Sequence, residues 1–410
     1  MGRKTTGLRR RPNQPGGIWH IDKVVNGRPI RESCGTSNQE EAERYLAKRL
    51  EEIRQAAVYG VRTDRIFRIA ATKYLNDNQH KASVVTDAYM LQSLDTFIGN
   101  TPLSKLHDGT LQSYVTTRKK SGIKSKSINN ALSVVRRILN LGARKWRDEY
   151  GLTWLETPPL ISMLPTHDAR KPYPLSWDEQ RVLFQELPDH LARMALFNVN
   201  TGTREQEVCH LRWDWEIEVP ELGTSVFLIP SDFGGRTEHS GVKNGEDRLV
   251  VLNDVARSVV NSCRGTHSEW VFTYQGKPVG RINNSAWDKA RVRAAMKLYE
   301  ASGKVIPAHL IQQGQRGIIN NEELKAFMES VMPGYSNVRV HDLKHTFGRR
   351  LRAAGVALET RKVMLGHKNG DITSHYSAPE IEELLEAANR VCQGKSGKSP
   401  AMTLLKRKTA

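Results

Sequence analysis

Apolar and polar residues alternate through GIWHIDKVVNGRPIRESCGTS (17–37), with Asn26-Gly27 at the centre. Alternation with period two predicts a pair of strands, and Asn-Gly predicts the two-residue turn that joins them. The pattern then changes to a helical period. Ser37 and Glu40 have the spacing of a capping box, and Ala42, Tyr45, Leu46, Leu50 and Ile53 recur on one face. The first 62 residues therefore read as a basic arm followed by a small β-β-α module.

From 63 to 165 the periodicity is helical. In SINNALSVVRRILNLGARKW (127–146), Ile128, Leu132, Val135 and Leu139 form an apolar stripe, while Arg136, Arg137, Arg144 and Lys145 keep the other faces positive. The segment ETPPLISMLPTHDARKPYP (156–174) reads as an interdomain linker because proline recurs through it. A third block, 172–393, is mostly helical. VFLIP (226–230) and RLVVL (248–252) interrupt it as strands, with Lys243-Asn244-Gly245 at the turn before the second, and 297–337 reads as a loop-and-helix insertion. Residues 394–410 read as a basic tail. The expected fold is thus multidomain and mainly α with small β elements.

Charge changes this picture from a fold to a partner. Sixty-two Lys and Arg face 44 Asp and Glu, a formal net charge of +18. Such a surface attracts polyanions, nucleic acid first, because each neutralised phosphate releases counterions. The candidates for backbone contact are Arg9, Arg10 and Arg11 in the arm, the acid-free run Arg118, Lys119, Lys120, Lys124 and Lys126, and Arg136 and Arg137 on the next helix. A solvated helix face is the plainer reading of such runs. No run of eighteen apolar residues occurs and the basic start lacks an apolar core, so neither a membrane span nor a secretory signal is expected. The scattered Cys34, Cys209, Cys263 and Cys392 contain no Cys-x-x-Cys pair, which suits free thiols in a reducing cytosol.

Candidate chemistry sits in three clusters of the third block. NTGTREQEVCHLRWDW (200–215) puts Arg204 and Glu207 three apart at a helix start near Thr203, where a surface ion pair is the plain alternative. HDLKHTFGRRLRAAG (341–355) has a Leu343, Phe347, Leu351 core stripe and places His341, Lys344 and His345 on an adjoining face. ETRKVMLGHKNGDITSHYS (359–377) ends a helix at Gly366, then presents His367 and the lone Tyr376. His341 and His345 have the i, i+4 spacing of a zinc pair, but Lys344 between them would put a cation inside the metal site. A tyrosine nucleophile among Arg, Lys and His, with no metal, suits attack on a phosphodiester: cations neutralise the charge gathering at phosphorus, and the leaving alkoxide needs an acid.

Taken in order, TGTREQEVCHLRW, VKNGEDRLVVL, HDLKHTF and LGHKNGDITSHY resemble the signature motifs of the tyrosine recombinases of the phage integrase family. The resemblance implies Tyr376 as nucleophile, Arg204 as the first catalytic arginine with Glu207 orienting it, Lys243 as general acid, His341 as general acid/base and His367 as a phosphate donor. Lys344 stands where the family usually has a second arginine. The resemblance also implies a 3′-phosphotyrosyl intermediate, no cofactor or metal, double-stranded DNA attachment sites, a homotetramer on DNA, and action in the bacterial cytoplasm at the nucleoid. A DNA-bending protein and a directionality factor are further expected partners. It gives the three blocks as an arm-type DNA-binding module, a helical core-binding domain and an α+β catalytic domain that integrates or excises a prophage or integrative element. A type IB topoisomerase and a catalytically silent DNA-binding regulator are the alternatives.

Overall fold

Asn26 and Gly27 both adopt positive φ, +51° and +77°, the backbone that a two-residue hairpin turn requires. They join the antiparallel strands His20–Val25 and Arg28–Ser33. A computed structural model of the chain describes residues 7–10, 17–234, 241–242, 245–310, 322–367 and 378–392. It divides into two compact units, Met1–Ala169 and Arg170–Ala410.

The basic arm is not wholly irregular. Leu8–Arg9 is a third strand, pairing antiparallel with His20 and Ile21. Leu8 and Ile21 then pack on Ala42 and Leu46 of the helix Gln39–Tyr59. That helix is capped by Asn38, whose side chain accepts from the backbone N–H of Glu40 at 2.9 Å, and not by Ser37. A separate core gathers the helices that follow. Along Ser125–Arg144, the predicted Ile128, Leu132, Val135 and Leu139 are all buried, and Ile138 and Ala131 widen the stripe.

The proline-rich segment does not behave as a free linker. Ile161 is buried in the helical core, and Asn129 brackets Leu164 with two 2.8 Å hydrogen bonds to its backbone. Asp108 and Asp168 accept from the backbone N–H of Ser162 and Ser125. Leaving Asn129 or those N–H groups unpaired under an apolar strap would cost about 1–3 kcal/mol each, so the strap stays down.

In the second unit a three-stranded antiparallel sheet runs Glu216–Val219, Thr224–Ile229, Arg248–Val251 in that order, with Ile229 opposite Arg248. The first of these strands falls outside the sequence reading. The helices Asp189–Thr201 and Val340–Ala353 cross the unit, and Phe347 and Leu351 of the latter pack with Met364, Ile381, Leu384 and Val391. The apolar face of the helix Ala378–Arg390 is therefore covered by its own chain. Within 297–337, the helix Ser285–Ala301 extends into the segment read as an insertion and Glu322–Val331 is a second helix. None of the four cysteines is held in a disulfide. Among the described residues no helix is long and apolar enough to cross a membrane.

Candidate active site

The site grows from a helix end. Asp189–Thr201 stops at Gly202, whose φ of +63° allows the chain to reverse. A Cβ there would meet Phe347 Cδ1 at 2.6 Å and Leu365 Cδ2 at 3.1 Å, so only glycine fits. Asn198 Nδ2 donates to Thr203 O, and the Thr201 and Thr203 hydroxyls pair at 2.9 Å beneath the turn. We expect Gly202→Ala to lose about 2 kcal/mol of stability from backbone strain alone, read as a lowered melting temperature.

Arg204 leaves this turn in extended conformation and caps the short helix Glu205–Cys209. Glu207 accepts from the Arg204 backbone N–H and from Nη1, each at 2.7 Å. With Glu207 only 1% exposed, the surface-ion-pair alternative does not hold. Burial pushes the Glu207 carboxyl up, but Arg248 foremost, then the Arg204 backbone N–H with Lys344 and Arg204, outweigh it and hold it below the usual carboxylate range. Val208 and Leu211 supply the buried side, while Trp213 is only partly covered.

Helix Val340–Ala353 brings in the second cluster. Its first turn is held by Asp342, fully buried, which accepts from the backbone N–H of Arg339 and Tyr173 and from both Arg170 Nη atoms. His341 and His345 meet edge to face at 4.8 Å, and burial lowers the pKa of both. Lys344 does not share their open face. It is 5% exposed, and Nζ donates to Gly202 O at 2.8 Å and Leu365 O at 2.5 Å. Burial, then the neighbouring Arg248, push its pKa down to about 5.

The third cluster closes the site. Helix Leu358–Met364 runs out at Gly366, and the His367 N–H donates back to Lys362 O at 2.9 Å. Burial first, then Lys344 and Arg204, lower the His367 pKa. The last three carbonyls of this turn are each taken by a different basic side chain. Met364 O accepts from Arg248 Nη2 at 3.2 Å, Leu365 O from Lys344, and Gly366 O from Arg204 Nη2 at 3.1 Å. Carbonyls at a helix C-terminus carry the negative end of its dipole and suit such partners.

Of the predicted set, Arg204, Glu207, Lys344, His341 and His367 come together here; Lys243 and Tyr376 lie outside the described residues. Arg248 was missed. It is 3% exposed, pairs with Glu207 and donates to Gly202 O at 2.8 Å. The signal was a single arginine opening the apolar strand RLVVL. Arg204 and Arg248 around one carboxylate leave a net positive charge that an anion can neutralise.

The nucleic-acid candidates divide. Arg9 pairs with Asp22 at 3.2 Å, and Arg10 lies over the Trp19 ring at 4.5 Å and donates to Ser37 O; Arg11 lies outside the described residues. Lys119, Lys120, Lys126, Arg136 and Arg137 are exposed, and none forms an ion pair among the described residues. Arg118 and Lys124 flank them at a helix end and a helix start. Elsewhere in the same unit cations are neutralised: Arg49 by Glu32, Glu52 and Glu149, Arg68 by Asp95, Lys81 by Asp87.

Known proteins carry similar sequences. The integrase of Salmonella phage P22 is 21% identical over 408 residues, covering 92% of each chain. Among solved structures, a lambda integrase dimer bound to a COC′ core site aligns over 100% of both chains at 11% identity with a TM-score of 0.49. A Tn1549 transposon integrase in complex with transposon right end DNA aligns over 79% of this chain and 94% of that one, at 13% identity and a TM-score of 0.48. The model of the phage integrase family matches residues 177–383, just over half of the chain and all three clusters, so this chain belongs to the phage integrase family and is a tyrosine site-specific recombinase.

Proposed function

We propose that this recombinase cleaves one strand of an attachment site by attack of the Tyr376 phenol oxygen on a phosphodiester. The new bond is a 3′-phosphotyrosyl link and the bond that breaks releases a 5′-hydroxyl, protonated by Lys243. Arg204, Lys344 and His367 neutralise charge at phosphorus, and His341 moves the proton of the attacking phenol. The reverse attack by a partner strand's 5′-hydroxyl rejoins the DNA, so bond energy is conserved and neither ATP nor a metal is consumed. The observation that supports this reading most is the convergence of Arg204, Lys344 and Arg248 on the turn Met364–Gly366, directly before His367. The test is a nicked attachment-site duplex incubated in chelator: a protein–DNA adduct should form, and its peptide should map to Tyr376.

The N-terminal 1–62 module is read as the arm-type DNA-binding element, 63–165 as the core-binding domain, 172–393 as the catalytic domain and 394–410 as a basic tail. The full reaction joins two sites in a homotetramer, and integrates or excises a prophage or integrative element in the bacterial cytoplasm, with a bending protein and a directionality factor as accessory partners. The unpaired cations of the helical unit support its contact with phosphates. Neutralising Lys119, Lys120, Arg136 and Arg137 together should weaken core-site binding regardless of sequence. It should also flatten the plot of log affinity against log salt, by about 0.9 for each phosphate that the variant no longer neutralises. An unchanged slope would leave that face merely solvated.

A further inference from the structure

The proposed reaction uses Arg204, Lys344 and His367, and each of the first two ties down only part of the cage, Arg204 through Gly366 O and Lys344 through Gly202 O and Leu365 O. Arg204 stands on the turn after Asp189–Thr201, His367 follows the turn after Leu358–Met364, and Lys344 comes from a third helix. One group bridges the two turns and the Glu207 carboxylate. Arg248 donates through Nη2 to Gly202 O and Met364 O, and through Nη1 to Glu207, the carboxylate that also grips Arg204. Its own Nε has no hydrogen-bond partner among the described residues, and a Cβ on Gly366 would sit 2.9 Å from that atom. The chain has been brought against the guanidinium as closely as a glycine permits.

A cation without contact to solvent or substrate is costly to bury and is retained where its geometry matters. A planar fork can span two backbone carbonyls and a carboxylate at fixed angles, which a lysine ammonium or an apolar residue of equal volume cannot. We propose that Arg248 is a positioning residue of this recombinase: its guanidinium clamps the Gly202 turn, the Met364–Gly366 turn and Glu207 together, and so sets where Arg204, Lys344 and His367 stand around the phosphate. This rests on the proposed roles of those three residues. Arg248 acts through them and does not touch the DNA.

The clamp has a second effect with its own readout. The Lys344 amine faces Arg248, Arg204 and Glu207 within the cage, with His341 and His367 beside it; Arg248 is the largest charge holding its pKa down, after burial. Without Arg248, the ammonium survives to higher pH. The experiment compares full-length wild type, Arg248→Met, Arg248→Lys and Arg204→Ala. It measures melting temperature, attachment-site binding, and the single-turnover rate of adduct formation on a nicked site from neutral into alkaline pH. Arg248→Met should bind as wild type, cleave about 10–100-fold slower, and carry its alkaline limb to higher pH. Arg248→Lys should recover part of the rate. A rate loss that tracks lost binding and melting, with the pH profile unmoved, would reduce Arg248 to a fold residue and overturn the positioning role. Wild-type rates in Arg248→Met together with an inactive Arg204→Ala would overturn it alone. Wild-type rates in both would overturn the site itself.

Discussion

A Tyr376→Phe protein binds attachment-site DNA with unchanged affinity and forms no covalent adduct with it. The substitution removes one oxygen and keeps the ring, so packing and charge are preserved while the only proposed nucleophile is gone. Among the remaining side chains of the site, Arg204, Lys344 and Glu207 are engaged with each other and with backbone carbonyls, and His341 and His345 face one another. None of these described side chains offers an unengaged oxygen to take over, and Cys209, which ends the helix Glu205–Cys209, is buried at 1% exposure. The loss should therefore be complete, beyond the roughly 10³-fold that removal of a single charge-stabilising donor produces. A denaturing gel of the nicked-site reaction reads it directly. Adduct surviving in Tyr376→Phe would mean another nucleophile, and equal absence in wild type would point to a DNA-binding regulator.

That Tyr376 can be named at all reflects what kind of information its motif carries. Arg204, Glu207, His341, Lys344 and His367 are legible because each lies beside a turn signal and at helical spacing from apolar residues that bury: Val208 and Leu211, Leu343 and Phe347, Met364. The local pattern that places the helix also places the polar residue. Arg248 has no such pattern, since one arginine in a short apolar strand is as readily a strand edge as a buried clamp. Its meaning comes from Gly202 and Met364, 46 and 116 residues away. Leu8–Arg9 was equally hidden, because two residues carry no periodicity and the strand exists only through its pairing with His20 and Ile21. Proline in 156–174 signalled irregular backbone correctly, but irregular backbone can still be buried when Asn129 and Asp108 satisfy its polar groups. The hidden direction of Lys344 belongs to the same class. Helical spacing puts it next to the two histidines, and only the approach of Gly202 and Leu365 turns its amine inward.

That inward amine sets up the second large effect. Lys344→Ala should slow adduct formation by two to three orders of magnitude, the loss typical of removing one donor from developing transition-state charge, about 3–4 kcal/mol. It also strips Gly202 O and Leu365 O of a donor, loosening the turn that presents His367. Lys344→Arg should stay within about tenfold of wild type, because the charge and the reach to both carbonyls are kept. The pH dependence separates the two residues. In the free protein, burial and Arg248 hold Lys344 near a pKa of about 5, so at neutral pH its amine is mostly uncharged. A bound phosphodiester brings a negative charge to the cage and raises that value, since an opposite charge favours the charged form. Binding at neutral pH therefore takes up a proton. The ammonium, once formed, is lost again only as pH rises through the complex's higher pKa, and the wild-type cleavage rate should fall along that alkaline limb. Arginine stays charged throughout, so Lys344→Arg should show neither the proton uptake nor the limb. Calorimetry in two buffers of different ionisation enthalpy measures the first, and rate–pH profiles measure the second. Identical proton uptake by wild type and Lys344→Arg would remove Lys344 from the phosphate site.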